Sequence, residues 1–141
     1  MQRKASAAWQ GGIKDGKGTI STASKVLSST PYSFGTRFES EPGTNPEELL
    51  AAAHAGCFSM ALSLMLGEAG IRPERIDTTA TVTLEKLDTG FTITKVHLDV
   101  AVRAAGAGQA KFDEAAQKAK AGCPLSKVLR AEITMDAKLA A

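Results

Sequence analysis

Residues 45–70 read NPEELLAAAHAGCFSMALSLMLGEAG, and this stretch decides the fold. Asn45 is a helix N-cap residue, because its side-chain oxygen can take a backbone N–H that the first turn leaves unpaired. Pro46 suits the first helical position, where no N–H is needed. Glu47 and Glu48 put negative charge in the first turn, where the helix dipole favours it. Glu48 also stands three residues after Asn45, close to a capping box. Glycine ends the helix at about Gly67 or Gly70. From Leu49 to Gly67 there is no Asp, Glu, Lys or Arg, and Leu49, Leu50, Phe58, Met60, Leu62, Leu64, Met65 and Leu66 leave no polar side. A helix that is apolar all round is covered all round. A small sheet covers one side; the other is expected to meet a partner, most simply a second copy of the chain. The stretch approaches the roughly 20 apolar residues of a membrane span. It is rich in alanine, includes His54, Ser59 and Ser63, and lacks flanking basic clusters and aromatic belts. A buried helix of a soluble protein, not a membrane segment, is therefore expected.

On either side of this helix the sequence reads as strands. Asp15-Gly16-Lys17-Gly18 is a turn between two short runs. Pro31 to Phe38 carries Tyr32, Phe34 and Phe38 on alternating positions, which predicts a strand with Gly35 as a bulge. Beyond the helix, Ile76, Thr78, Ala80, Val82 and Leu84 share one strand face. Asp88-Thr89-Gly90 turns the chain. Phe91 and Ile93 then alternate on odd positions, but Val96, Leu98, Val100 and Val102 on even ones. This change of parity predicts a bulge near Thr94–Lys95. Ala110 to Gly122 is a second helix with Phe112, Ala115, Ala116 and Ala119 on one face, Pro124 starts a short third, and Ile133, Met135, Ala137 and Leu139 mark a last half-buried strand. Paired strands divided by one long helix predict an α+β domain with antiparallel sheet and a long central helix, one domain over residues 1–141.

Composition narrows the function classes. The chain has 141 residues, 17 basic and 15 acidic side chains, and two cysteines. One domain of about 100–200 residues is the default at such a length, large enough for a core without staples. A net charge of +2 is too weak to argue for nucleic acid as the main partner. Two cysteines are too few for a secreted disulfide scaffold or a four-cysteine zinc site. The N-terminal MQRKASAAWQGG has no apolar h-region, so no secretory signal is expected. The expected location is the cytoplasm, where thiols stay reduced unless they are catalytic.

Four residues could carry chemistry. Cys57, in the middle of the apolar helix, is by itself a small packing residue or a thiol near a subunit interface. Cys123, between Gly122 and Pro124, stands at the start of a helix, where a thiol pKa is lowered and a disulfide exchanges readily. Arg37 in TRFE either pairs with Glu39 at the surface or serves a site. Glu47 is a dipole-friendly acid or an orienting group. Glu47 and Cys57 are ten positions apart, about 15 Å along an unbroken helix and rotated by roughly 80°, so they cannot touch. An arginine between them could donate to the carboxylate bidentately and hold a thiolate with its free N–H groups, unless the helix is kinked.

Together GTNPEELLAAAHAGCFSMALSLMLGEAG, PYSFGTRFE and KAKAGCPLSKVLRAEIT resemble the OsmC/organic hydroperoxide resistance (Ohr) family of thiol peroxidases, over nearly the whole chain. The match is weakest from Arg103 to Gln109. The resemblance implies an OsmC-like intertwined homodimer with active sites at the subunit interface. It implies that Cys57 is the peroxidatic cysteine, Cys123 the resolving one, and Arg37 with Glu47 the pair that activates Cys57; Arg37 in TRFE matches the OsmC branch. It implies organic hydroperoxides as substrates, with hydrogen peroxide a weaker one, a role in oxidative or osmotic stress defence, and an external dithiol reductant, a lipoyl group on a carrier protein. No bound cofactor and no metal are implied. Phe34, Phe38, Phe58, Met60 and Leu64 are the candidate apolar walls of the substrate site. By helix position alone Cys123 looks the better activated thiol, while the resemblance gives the first attack to Cys57. Two other readings stand beside this one. His54, Cys57 and Cys123, with His97, could form a zinc or ligand site without turnover. The cysteines could also form a merely stabilising disulfide, against which a cytoplasmic setting argues.

Overall fold

A computed structural model of the chain describes residues 1–140. It divides into two compact units, one from Met1 to Leu49 and one that begins at Leu50.

In the first unit β1 (Ala5–Gln10), β2 (Lys17–Thr22) and β3 (Thr30–Tyr32) form an antiparallel sheet in that order. The first turn lies earlier than the sequence suggests: Gly11 takes φ +91°, Gly16 N–H donates to the Gly12 carbonyl, and Lys17 and Gly18 already belong to β2. Register sets Trp9, Gly18 and Tyr32 in one row across the sheet. A Cβ on Gly18 would overlap both rings, so the glycine lets Trp9 and Tyr32 meet at 5.4 Å between centroids.

The predicted strand over Pro31–Phe38 is corrected: β3 stops at Tyr32, and Phe34–Phe38 is a short helix, α1. Ser33 Oγ accepts the Thr36 N–H and Thr36 Oγ1 accepts the Ser33 N–H, a full capping box that outweighs the alternating aromatics. Phe34 and Phe38 are also four residues apart, one helix face, and their rings stack tilted at 4.9 Å.

The long helix α2 spans Pro46–Glu68 without interruption, as its signals predict. Asn45 Oδ1 accepts the Glu48 N–H at 2.8 Å, and Asn45 Nδ2 donates to the Thr36 carbonyl. Glu48 leaves the capping box half closed, taking the Thr44 hydroxyl instead. At the other end Gly70 adopts φ +76°, Ile71 N–H reaches the Leu66 carbonyl and Gly70 N–H the Gly67 carbonyl, a Schellman closure.

In the second unit α2 buries one stripe, His54, Phe58, Leu62 and Leu66. Phe58, Leu62 and Leu66 pack with the even-numbered face of β5 and with α3. The elements are β4 (Arg75–Leu87), β5 (Gly90–Arg103), α3 (Gln109–Gly122), α4 (Pro124–Val128) and β6 (Glu132–Ala140). β4 and β5 form an antiparallel hairpin in which Thr83 faces Lys95 and Leu84 faces Ile93, so Thr94 is the extra residue of the predicted bulge. The expectation of a purely antiparallel sheet is corrected: β6 runs parallel to β5. Parallel neighbours need a crossover, and α3 with α4 supply it. Val96, Leu98, Val100, Val102, Phe112, Ala115, Ala116 and Ala119 fill the core. Each large buried side chain there stabilises the fold by roughly 1.5–3 kcal/mol. Another face of α2 stays open in the single chain: Met60 is 77% and Leu64 60% exposed. By length and composition α2 could cross a membrane, but its inner stripe is a wall of this core.

Candidate active site

Pro124 fixes the position of Cys123. A residue before proline is kept out of helical backbone, so α3 stops at Gly122 and Cys123 sits extended at ψ 127°. Its N–H closes α3 on the Ala119 carbonyl and its own carbonyl opens α4 by accepting the Lys127 N–H. The side chain is left wholly buried. Cys57, half-buried on α2, meets it: the two sulfurs are 3.1 Å apart and both are free thiols. Burial pushes the Cys57 thiol above its ordinary value, the Cys123 thiol adds to this, and the Leu125 backbone N–H partly opposes it by bonding the sulfur. The helix that would have activated Cys123 thus lends its N–H to Cys57.

One turn before Cys57, His54 is wholly buried, and its Nε2 lies 2.9 Å from Ser126 Oγ. Burial lowers its pKa, which keeps the ring neutral. His54 Nδ1 has no hydrogen-bond partner.

In the first unit Arg37 pairs with Glu47, not with Glu39. Its Nε donates to both carboxylate oxygens at 3.2 Å and its Nη2 to Oε1 at 2.8 Å. The Glu47 side chain is only 13% exposed, so the ion pair is partly shielded from water. The guanidinium lies over the Phe38 ring, 5.1 Å from its centroid, a cation–π contact. Beside it a cavity of about 200 Å³ is lined by Trp9, Ile13, Tyr32, Ser33, Phe34, Arg37 and Phe38.

Of the candidate apolar walls, Phe34 and Phe38 line this cavity. Phe58 does not stand at a surface: position 58 falls on the inner stripe four residues after His54, and the ring is fully buried in the core. Met60 and Leu64 are exposed on α2. Trp9, Ile13 and Tyr32 were not among the sequence candidates; the register through Gly18 is the signal that brings Trp9 and Tyr32 together.

The zinc reading does not survive the placement of its ligands. His97 belongs to the polar face of the β5–β6 pair, where Nδ1 meets Thr134 Oγ1 and Nε2 faces Asp99 at 3.4 Å and Asp136 at 3.3 Å. His54 bonds Ser126 instead. Among the described residues, His97, Asp99 and Asp136 are the one group of three or more His, Cys, Asp or Glu side chains close enough to share an ion.

The model of the family described as OsmC-like protein matches residues 38–138. Over 139 residues the chain is 61% identical to the peroxiredoxin OsmC of Escherichia coli (strain K12), covering 99% of this chain and 97% of that one. It is 31% identical over 102 residues to the organic hydroperoxide resistance protein OhrA of Bacillus subtilis, covering 71% and 70% of the two. The crystal structure of the organic hydroperoxide resistance protein OhrB of Bacillus subtilis is similar at a TM-score of 0.67 and 26% identity, covering 97% of this chain and 98% of the other. By these matches, which span the residues of both units, the chain belongs to the OsmC-like protein family.

Proposed function

We propose that the chain is a thiol peroxidase that reduces organic hydroperoxides, and hydrogen peroxide more weakly, by a cycle on Cys57 and Cys123. The observation that carries this reading is the pair of free sulfurs at 3.1 Å, one on α2 and one at the junction of α3 and α4, brought together across 66 residues. Thiolate, not thiol, attacks peroxide. The Cys57 thiolate takes the terminal oxygen, the O–O bond breaks, and the leaving alkoxide picks up a proton to become the alcohol. Cys57 is now a sulfenic acid, oxidised by two electrons. The Cys123 sulfur displaces its oxygen as water, and a disulfide forms. An external dithiol returns two electrons and two protons; the proposed source is a lipoyl group on a carrier protein. No bound metal or organic cofactor takes part.

A thiol pushed upward by burial needs a cation to ionise at neutral pH. Arg37 is the proposed cation. Glu47 holds its Nε and Nη2, which leaves Nη1 for the thiolate and for charge developing on the breaking O–O bond. The apolar cavity beside Arg37 suits the organic part of the hydroperoxide, with Phe34 and Phe38 as walls. Met60 and Leu64 join them if the open face of α2 closes on a second copy, so that two chains make the site and both units form one OsmC-like domain. We place the protein in the cytoplasm, in defence against oxidative or osmotic stress. Reduced protein supplied with dihydrolipoamide is expected to consume cumene hydroperoxide catalytically, and Cys57→Ser to remain folded with activity reduced at least about a thousandfold. Turnover that persists in Cys57→Ser overturns the reading.

A further inference from the structure

The inner stripe of α2 holds one polar residue, and it lies at the cysteine end. Phe58, Leu62 and Leu66 continue the stripe that His54 begins. A leucine at position 54 would extend this packing without the cost of burying an imidazole. His54 also leaves one ring nitrogen unpartnered, Nδ1. A buried N–H without an acceptor is rarer than a lone pair without a donor. The proton therefore sits on Nε2 and is donated to Ser126 Oγ at 2.9 Å. Burial holds the ring neutral, so no charge disturbs the thiols beside it.

Spacing shows what this bond connects. His54 precedes Cys57 by three residues on α2, and Ser126 follows Cys123 by three residues on α4. Residues three apart on a helix are neighbours on one face. The His54–Ser126 bond and the Cys57–Cys123 contact are thus consecutive rungs between the same two segments. The short α4 has no buried residue of its own; besides Cys123, it is held by Leu125, half-buried against the core and with its N–H on the Cys57 sulfur, and by the Ser126 bond.

We propose that His54 and Ser126 are positioning residues that clamp the start of α4 to α2, so that Cys123 reaches the oxidised Cys57 before a second peroxide does. This rests on the peroxidase reading and adds to it the step that decides the fate of the sulfenic acid. That acid has two outcomes. Attack by Cys123 gives the disulfide and water; reaction with a second hydroperoxide gives the sulfinic acid and a second alcohol. The clamp raises the effective concentration of Cys123 at Cys57, which favours the first outcome.

The test compares the unmodified protein with Ser126→Ala, His54→Leu and the conservative Ser126→Thr, which keeps the hydroxyl. Each reduced protein receives excess cumene hydroperoxide, and intact mass gives the ratio of disulfide to sulfinic acid. The disulfide is also equilibrated against a glutathione buffer. Ser126→Ala and His54→Leu are expected to raise the sulfinic share about tenfold relative to disulfide. Their disulfide potential should become less negative by about 30 mV, the equivalent of a tenfold loss in effective concentration for two electrons. Ser126→Thr should restore both readouts. A stabilising bond with no part in resolution would move the melting temperature and leave the ratio and the potential where they were, which overturns the clamp. Failure of the unmodified protein to form any disulfide overturns the peroxidase reading, and the clamp with it.

Discussion

Every residue of the buried core lies at Phe58 or beyond, whereas between Met1 and Leu49 the only wholly buried positions are Gly16, Gly18 and Gly35. The two regions also divide the chemistry. From Leu50 on, the chain holds both sulfurs against a packed interior of α2, α3 and β5. The first 49 residues hold the cation, its carboxylate and an aromatic cavity on a three-stranded sheet and a five-residue helix. A residue with closed packing around it is fixed by its own chain. Aromatics left at the surface of a small sheet are not, since three strands without a covered face gain little from burial. The two sulfurs are therefore brought together within the second region alone, while the proposed activation of the thiol draws on a group of the first.

This contrast can be broken by stability measurements. Leu62→Ala removes a fully buried side chain from the second region and is expected to cost about 2–5 kcal/mol. Phe38→Ala in the first region removes a larger ring and is expected to cost less than about 1 kcal/mol, because the ring is not buried in a core. Urea unfolding of both variants measures the difference; equal losses would mean that the first region is closed after all.

Arg37→Ala sharpens the contrast by touching activation alone. On the proposed mechanism the guanidinium favours the Cys57 thiolate, and its loss is expected to raise the thiol pKa. At neutral pH the rate of the first step should fall about ten- to hundredfold, one to two pKa units of lost thiolate. The rate-against-pH profile should move to higher pH, since the reactive form appears only above the thiol pKa. Stopped-flow oxidation across a pH series checks this, and a profile unchanged in position would remove Arg37 from the role.

The smallest effect concerns His54. Its folded-state pKa is lowered below the ordinary 6.5, so folding disfavours the protonated ring. The stability this contributes is complete above about pH 6.5 and is lost as pH falls through that value toward the folded pKa. His54→Leu should flatten the decline of the melting temperature as pH falls below about 6.5, with little change in slope above it. A decline of the same steepness in the variant would contradict the assignment.

Much of this was legible in the sequence, and the misses have physical causes. Asn45, Pro46 and Gly70 gave the ends of α2, and the parity change between Ile93 and Val96 gave the bulge at Thr94, because caps and pleat are local. The Gly122-Cys123-Pro124 break placed Cys123 between two helices for the same reason. Phe34 and Phe38 were ambiguous, since a spacing of four fits both a strand face and a helix face; the Ser33–Thr36 capping box decided for the helix. The direction of β6 could not be read from its alternation, which is the same in parallel and antiparallel pairing. The cavity residues Trp9 and Tyr32 needed the register of three strands, a non-local property. His54 reads in the sequence as a zinc-ligand candidate, because its actual partner, Ser126, lies 72 positions away.

The most direct measurement is a titration of fully reduced protein with cumene hydroperoxide in the absence of oxygen, followed by thiol counting and peptide mapping. The account predicts that both thiols of each chain disappear together and that Cys57 and Cys123 are recovered in one intrachain disulfide. Thiols that persist after the hydroperoxide is added, or a disulfide that joins other partners, would contradict it.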